Sequence, residues 1–197
     1  RHSFPTRRSS DLGILTGPGI LKQREYGRIH IDPFDPSRLN PNSYNLRLSE
    51  KLLVYRDAEL DMAKDNPTDV IIIPPEGLVL RPEMLYLGAT IETAGSDYYV
   101  PMLDGRSSTG RLGCWVTVSA GFGDVGFSGK PETASSWTLE LAVKVPLRVY
   151  AGVEICQIAF HTPVGERKAY TGKYLKQRDP RASAMWKDFQ DGKVRKD

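Results

Sequence analysis

Glu140 sits in a stretch whose pattern singles it out for chemistry. In Trp137-Thr138-Leu139-Glu140-Leu141-Ala142-Val143 the apolar residues alternate, a period of two that puts Trp137, Leu139, Leu141 and Val143 on one face of a strand. Thr138 and Glu140 then project together from the opposite face. A mid-strand carboxylate between two leucines is solvated, paired with a cation, or working in a pocket. On spacing alone the solvated face is the commonest of the three.

Two polar segments precede that strand. Asp104-Gly105-Arg106-Ser107-Ser108-Thr109-Gly110-Arg111-Leu112-Gly113 is the densest polar constellation in the chain. A turn of this kind can present N–H groups, hydroxyls and guanidinium forks to phosphate oxygens, although an ordinary charged loop has the same composition. Ser119-Ala120-Gly121-Phe122-Gly123-Asp124-Val125-Gly126-Phe127 sets three glycines around one aspartate. That suits a tight loop whose backbone approaches a ligand, and equally a plain glycine-rich connection between strands.

The elements that must position these groups are mostly strands. Residues 17–27 suit one short helix, with Ile20, Leu21 and Arg24 at helical spacing and Gly27 as its stop. Beyond it Pro33, Pro36, Pro41, Pro67, Pro74, Pro75, Pro82 and Pro101 leave little room for sustained helices. Between them lie β-branched and aromatic runs at 69–73, 77–80, 85–91 and 98–103, continued by 114–119, 137–145, 147–150 and 153–161. Many short strands at close spacing predict a sandwich or barrel. From about Pro163 the chain turns polar and irregular, as a disordered tail or a lid would.

At 197 residues the chain is long enough to bury a core without a disulfide or metal staple. The expected organisation is a non-native leader over 1–12, a β domain over 13–162, and a lid or tail of the same domain over 163–197. The leader has no helical or strand period, and its Arg1, Arg7 and Arg8 carry most of the net charge of +3. The other basic residues are interspersed with acids, so no basic stripe predicts a nucleic-acid partner. No run approaches the roughly 20 apolar residues of a membrane helix, and no secretory h-region is present. Cys114 and Cys156 each lie inside an apolar run and read as buried free thiols, which suits a reducing cytoplasm.

Taken in order, the motifs resemble those of the dCTP deaminase family of the dUTPase-like superfamily. The matching stretches are GRSSTGRLG at 105–113, SAGFGDVGF at 119–127 and WTLEL at 137–141. They are joined by DPF at 32–34, LNPNSYNLRL at 39–48, YAGVEICQIAFH at 150–161, YTGKYLKQ at 170–177 and SAMWKDF at 183–189. The resemblance implies a mainly β protein, a distorted jelly-roll-like barrel of the dUTPase-like type with few short helices. It further implies a homotrimer with nucleotide sites between neighbours. Arg106, Ser107, Ser108, Thr109, Gly110 and Arg111 would hold the triphosphate and border the cytosine. Asp124 would bind near the deoxyribose, and Thr138 and Leu139 would offer strand groups to the base. Glu140 matches the catalytic glutamate, and the Ala120 backbone would help place the attacking water. Tyr170, Lys173 and Gln177 match tail positions that close over the nucleotide.

The implied chemistry is consistent with these residue types. Deaminating cytosine needs water at C4, a proton at N3 and departure of ammonia, a set of transfers that one enclosed carboxylate can perform. Ser107 and Arg111 would orient Glu140 and stabilise developing charge. Mg²⁺ would arrive on the triphosphate, since it prefers phosphate oxygens and retained waters. No zinc is expected. Zinc deaminases use His-x-Glu and Pro-Cys-x-x-Cys, whereas Cys114 and Cys156 are single and neither His30 nor His161 precedes a suitably spaced glutamate. His30 reads instead as a surface or hydrogen-bonded strand residue.

The chain departs from the family pattern in several places. Lys130 to Ser136 fill a connection that is far shorter in the family, and this predicts an extended hairpin loop whose register bears on Glu140. Thr117 stands where many members have histidine and Val125 where many have proline, while Leu175 and Lys176 replace more polar residues. The leading expectation is deamination of dCTP to dUTP. The alternatives are a bifunctional enzyme giving dUMP and pyrophosphate, left open by Gly-Phe rather than His-Arg after Ala120, and a nucleotide-binding regulator with reduced catalysis.

Overall fold

The computed structural model describes residues 13–118 and 120–192; the expected leader over 1–12 lies outside the described residues. Eleven strands and three short α-helices are present among them. Helix α1 (Gly17–Glu25) begins with Thr16 as N-cap, its hydroxyl accepting from the Gly19 N–H, and with Pro18 in its first turn, where a missing N–H costs nothing. The strands are β1 (His30–Asp32), β2 (Tyr44–Arg47), β3 (Lys51–Tyr55), β4 (Thr68–Ile72), β5 (Leu78–Leu80), β6 (Tyr86–Gly95), β7 (Val100–Gly105), β8 (Cys114–Thr117), β9 (Ser136–Val143), β10 (Leu147–Val149) and β11 (Glu154–His161). Helix α2 (Ser107–Arg111) joins β7 to β8, and α3 (Trp186–Gln190) lies near the C-terminus.

All pairings are antiparallel. The largest sheet runs β4-β3-β6-β9-β8, with β1 added at the far end of β6. A second sheet runs β2-β11-β7, and β5 pairs with β10. The sheets share one core, in which Leu52, Leu139 and Leu141 of the first meet Tyr44, Leu46, Ile158 and Phe160 of the second, all fully buried. Cys114 and Cys156 lie in that core as free thiols, and burial pushes both thiol pKa values up. No helix among the described residues is long and apolar enough to cross a membrane.

The mainly β expectation is met, with the predicted strands in their places. β1, β2 and β3 carry no comparable signal in the sequence. In β2 the reason is visible: Asn45 is buried between Tyr44 and Leu46, so no alternation survives, and its amide donates to Glu154 at 2.9 Å. That contact belongs to a polar network inside the barrel. Glu92 of β6 has no exposed surface and accepts from the Arg47 N–H at 2.8 Å and from Arg47 Nε at 2.7 Å. Arg38 bridges Glu92 and Glu154, and Glu154 in turn holds Arg106 at 2.8 Å. A carboxylate this deep persists because guanidinium and N–H groups replace its lost water.

The tail from Pro163 through residue 192 is largely without regular structure, yet it is tied to the barrel along its length. Tyr170 N–H donates to Val125 O at 2.8 Å, Arg181 N–H to Thr138 Oγ1 at 3.1 Å and Ser183 N–H to the Tyr55 hydroxyl at 3.1 Å. The 130–136 segment also differs from the extended hairpin loop expected. It folds into a compact turn around a 3₁₀ helix (Pro131–Thr133), because Thr133 caps back onto Lys130 and Ser135 N–H donates to the buried Ser128 hydroxyl.

Candidate active site

Strand β9 places Glu140 as its alternation predicts. Trp137, Leu139, Leu141 and Val143 are buried, while Thr138 and Glu140 emerge half-buried on the other face. Glu140 lies opposite Leu87 on β6 and Thr117 on β8. The irregularity near this strand belongs to its neighbour. Between the pairs Ala89↔Thr138 and Thr93↔Ser136, residues 90–92 of β6 bulge against Trp137 alone. The 130–136 turn therefore leaves Glu140 in register. The Thr117 hydroxyl donates to Glu140 Oε2 at 3.2 Å, so the residue that replaces a family histidine touches the candidate catalytic group.

Glu140 and Thr138 open into a cavity of about 450 Å³, within the range of small-molecule sites. The loop after β8 supplies Ala120, Phe122, Gly123, Asp124 and Phe127 to its wall. Two of the three glycines of this loop, Gly123 and Gly126, serve packing on the chain itself. A Cβ on Gly123 would overlap the Trp137 ring, and Gly126, at φ +91°, receives Ala169 and Tyr170 of the tail. Phe127 stacks at a tilt on Trp137 with centroids 4.5 Å apart and meets Tyr170 edge-on at 5.6 Å. The result is an aromatic wall beside a carboxylate and an aspartate.

The tail closes the cavity with Tyr170, Tyr174, Gln177 and Arg181. Gln177 Nε2 donates to Ser136 O at 2.9 Å and to Thr138 Oγ1 at 3.2 Å. Its Oε1 is buried without a donor among the described residues. Arg181 donates to Lys173 O at 2.7 Å and lies over the Tyr174 ring.

Of the residues singled out by sequence, Ala120, Asp124, Thr138, Glu140, Tyr170 and Gln177 line this one cavity. Others do not. Ser107, Ser108, Thr109, Gly110 and Arg111 form helix α2 rather than an open turn, and they do not line it. Arg106 is occupied by the Glu154 carboxylate and carbonyl. A Cβ on Gly105 would lie 3.6 Å from the Val116 Cβ, so β7 reaches β8 from the core face, while Thr117 and Glu140 look out from the other. Lys173 pairs with Asp188 of α3 at 2.5 Å instead of facing the cavity. Leu139 is fully buried in the core, which leaves only its backbone for a ligand. Tyr55 and Arg181 join the site unannounced by any sequence signal. Tyr174 lies within the 170–177 stretch but was given no role there, and Thr117, which touches Glu140, was marked only as a departure from the family pattern.

His30 is a hydrogen-bonded strand residue, as expected, with Nε2 2.9 Å from Thr93 Oγ1. Among the described residues no three His, Cys, Asp or Glu side chains group as a metal-ligand set.

A jelly-roll-like β barrel with a C-terminal strap along one cavity places the molecule in the dUTPase-like class of folds. A crystal structure of 2'-deoxycytidine 5'-triphosphate deaminase from Agrobacterium tumefaciens superposes on 78% of this chain with a TM-score of 0.60 at 20% identity, a likeness of fold alone; the match spans 49% of that chain. The family model described as dCTP deaminase-like matches residues 14–162, and the chain belongs to that family. Curated relatives bear this out. The "dCTP deaminase, dUMP-forming" of Leptospira biflexa serovar Patoc is 54% identical over 178 residues, covering 90% of this chain and 98% of the relative. Proteins of the same name from Cytophaga hutchinsonii and Clostridium beijerinckii are 54% and 52% identical, each over 90% of this chain and 99% of the relative.

Proposed function

We propose that this protein deaminates dCTP and also cleaves the triphosphate, so that dCTP and two waters give dUMP, ammonia and pyrophosphate. The relatives' names favour this bifunctional alternative over the leading expectation of dUTP. The observation that carries the deamination half is Glu140 standing beside Thr138 in an aromatic cavity, across from Asp124 and beneath Gln177. That arrangement suits a pyrimidine deoxynucleoside, with the base against the strand and the sugar towards Asp124.

In this reading Glu140 takes a proton from the water that attacks C4. It delivers that proton to N3, then takes the proton of the new C4 hydroxyl and passes it to the amine, so that C4=O forms as the C4–N4 bond breaks and ammonia leaves; the Thr117 hydroxyl holds one carboxylate oxygen in place. No zinc enters the reaction; the proton transfers are assigned to Glu140 alone. Mg²⁺ enters as part of the substrate, on the triphosphate. The second step breaks the bond between the α-phosphorus and its bridging oxygen, with water supplying the new P–O bond and pyrophosphate leaving.

The site is proposed to be completed by a neighbouring copy in a homotrimer. Two observations support this. Within one chain no residue of α2 lines the cavity that holds Glu140, so Ser107 and Arg111 serve the site best from another subunit. Leu112, Trp115 and Phe122 are also more than half exposed around β8, an apolar border that suits burial by a second copy.

Incubating the protein with dCTP and Mg²⁺ and separating the products tests the reading. The expected result is dUMP and pyrophosphate in equal amounts with ammonia. Accumulating dUTP would return the monofunctional deaminase, and tight dCTP binding without ammonia would mark a regulator.

A further inference from the structure

We infer that Ser135, in the turn that sets this chain apart from the family pattern, is a positioning residue for the nucleotide site: it seats the tail so that Gln177 meets the cavity. The inference rests on the reading of that cavity as the dCTP site. Ser135 has no exposed surface, and its hydroxyl and N–H are both committed. Its hydroxyl donates to Thr133 O at 2.9 Å and accepts from the Lys176 N–H at 2.7 Å, while its own N–H donates to Ser128 Oγ at 2.9 Å. Ser136 continues the clasp. Its N–H donates to Gln177 O at 2.8 Å, and its carbonyl accepts Gln177 Nε2 at 2.9 Å.

Three bonds thus join residues 135–136 to residues 176–177, immediately before the strand that carries Glu140. At Lys176 the backbone adopts φ +64°, a left-handed conformation that a residue with a side chain holds only where its surroundings impose it. That turn sends Gln177 back across β9, where its amide bridges Ser136 and Thr138 and its Oε1 is left without a protein donor. A turn with a purely surface role has no need to bury Ser128, Ser135 and Ser136 together, since each buried hydroxyl or amide must find a partner. Here the Ser135 hydroxyl and the Ser136 backbone find partners in the tail, and the tail carries Gln177, which lines the cavity beside Thr138. The loop next to Glu140 therefore sets the geometry of the lid while the strand register sets the geometry of the carboxylate.

Steady-state dCTP kinetics and amide hydrogen exchange on the full chain test this. Ser135→Ala is expected to raise KM about three- to tenfold, the range for one lost hydrogen bond, with kcat within about twofold. Exchange in residues 172–185 should quicken while β6 and β9 stay protected. Lys176→Gly keeps the N–H and suits the positive φ, so its KM should stay near wild type. On a Gln177→Ala background Ser135→Ala should add little, because both act through the placement of the Gln177 side chain. An unchanged KM in Ser135→Ala, a rise in exchange across the whole barrel, or full additivity with Gln177→Ala would each overturn the inference. Wild-type protein that turns over no dCTP would instead overturn the reading of the cavity itself.

Discussion

Glu140 accepts from the Thr117 hydroxyl at 3.2 Å on a strand that fixes its direction, and its chemistry has a sharp test. Glu140→Gln keeps size and hydrogen-bonding shape but removes the proton acceptor. Ammonia release should fall by at least about 10²-fold, the usual weight of general acid–base catalysis, while dCTP binding measured by calorimetry stays within a few-fold. His30 supports a second expectation, on stability rather than rate. Burial lowers its pKa below the ordinary 6.5, outweighing the opposing pull of Asp32. The unfolded chain then binds this proton at a higher pH than the native one. Stability from this group is therefore complete above about pH 6.5 and is lost as the pH falls towards the native value. Denaturant titrations between pH 7.5 and 5 should show that loss, and His30→Gln should remove its share of the slope.

At the scale of elements, the barrel depends on a polar network as well as on its apolar layers. Glu92 ties β6 to β2 through Arg47, and Arg38 and Glu154 carry the connection through β11 to the start of α2. Arg47→Met would leave the Glu92 carboxylate buried with its strongest partner gone. A loss of about 3 kcal/mol in chemical unfolding is expected, typical of breaking a buried pair from one side. None of this was legible in the sequence. Strands that alternate cleanly, such as β9 and β11, could be read, because their pattern is local. β2 could not, because its buried Asn45 is satisfied by Asn40 and by Glu154, the latter more than a hundred residues away. Helix α2 was equally hidden. Its five residues, with Gly110 among them, carry no helical period, and what shapes it is its place between β7 and β8.

For the whole molecule, the decisive question is how α2 and Glu140 meet. If neighbouring subunits share each site, Arg111→Ala and Glu140→Gln should each be nearly inactive alone. Refolding the two together should restore deamination, because some mixed sites receive an intact α2 from one chain and an intact Glu140 from the other. Sedimentation of the unmodified protein should show three copies, and activity absent from the mixture would place both groups within one chain. The sequence by itself determined the class of the fold, the strand that bears the carboxylate and the face on which it stands. These follow from a two-residue period and from motifs contiguous in the chain, both local properties. Only the tertiary structure decided which residues share the cavity. It brought Asp124, Thr138, Glu140, Tyr170 and Gln177 together and set α2, Arg106 and Lys173 apart. It also turned the 130–136 segment from a threat to the register into a clasp for the tail. The physical reason is that ion pairs and clasping hydrogen bonds join residues distant along the chain, and no local pattern records which partner a buried polar group will find.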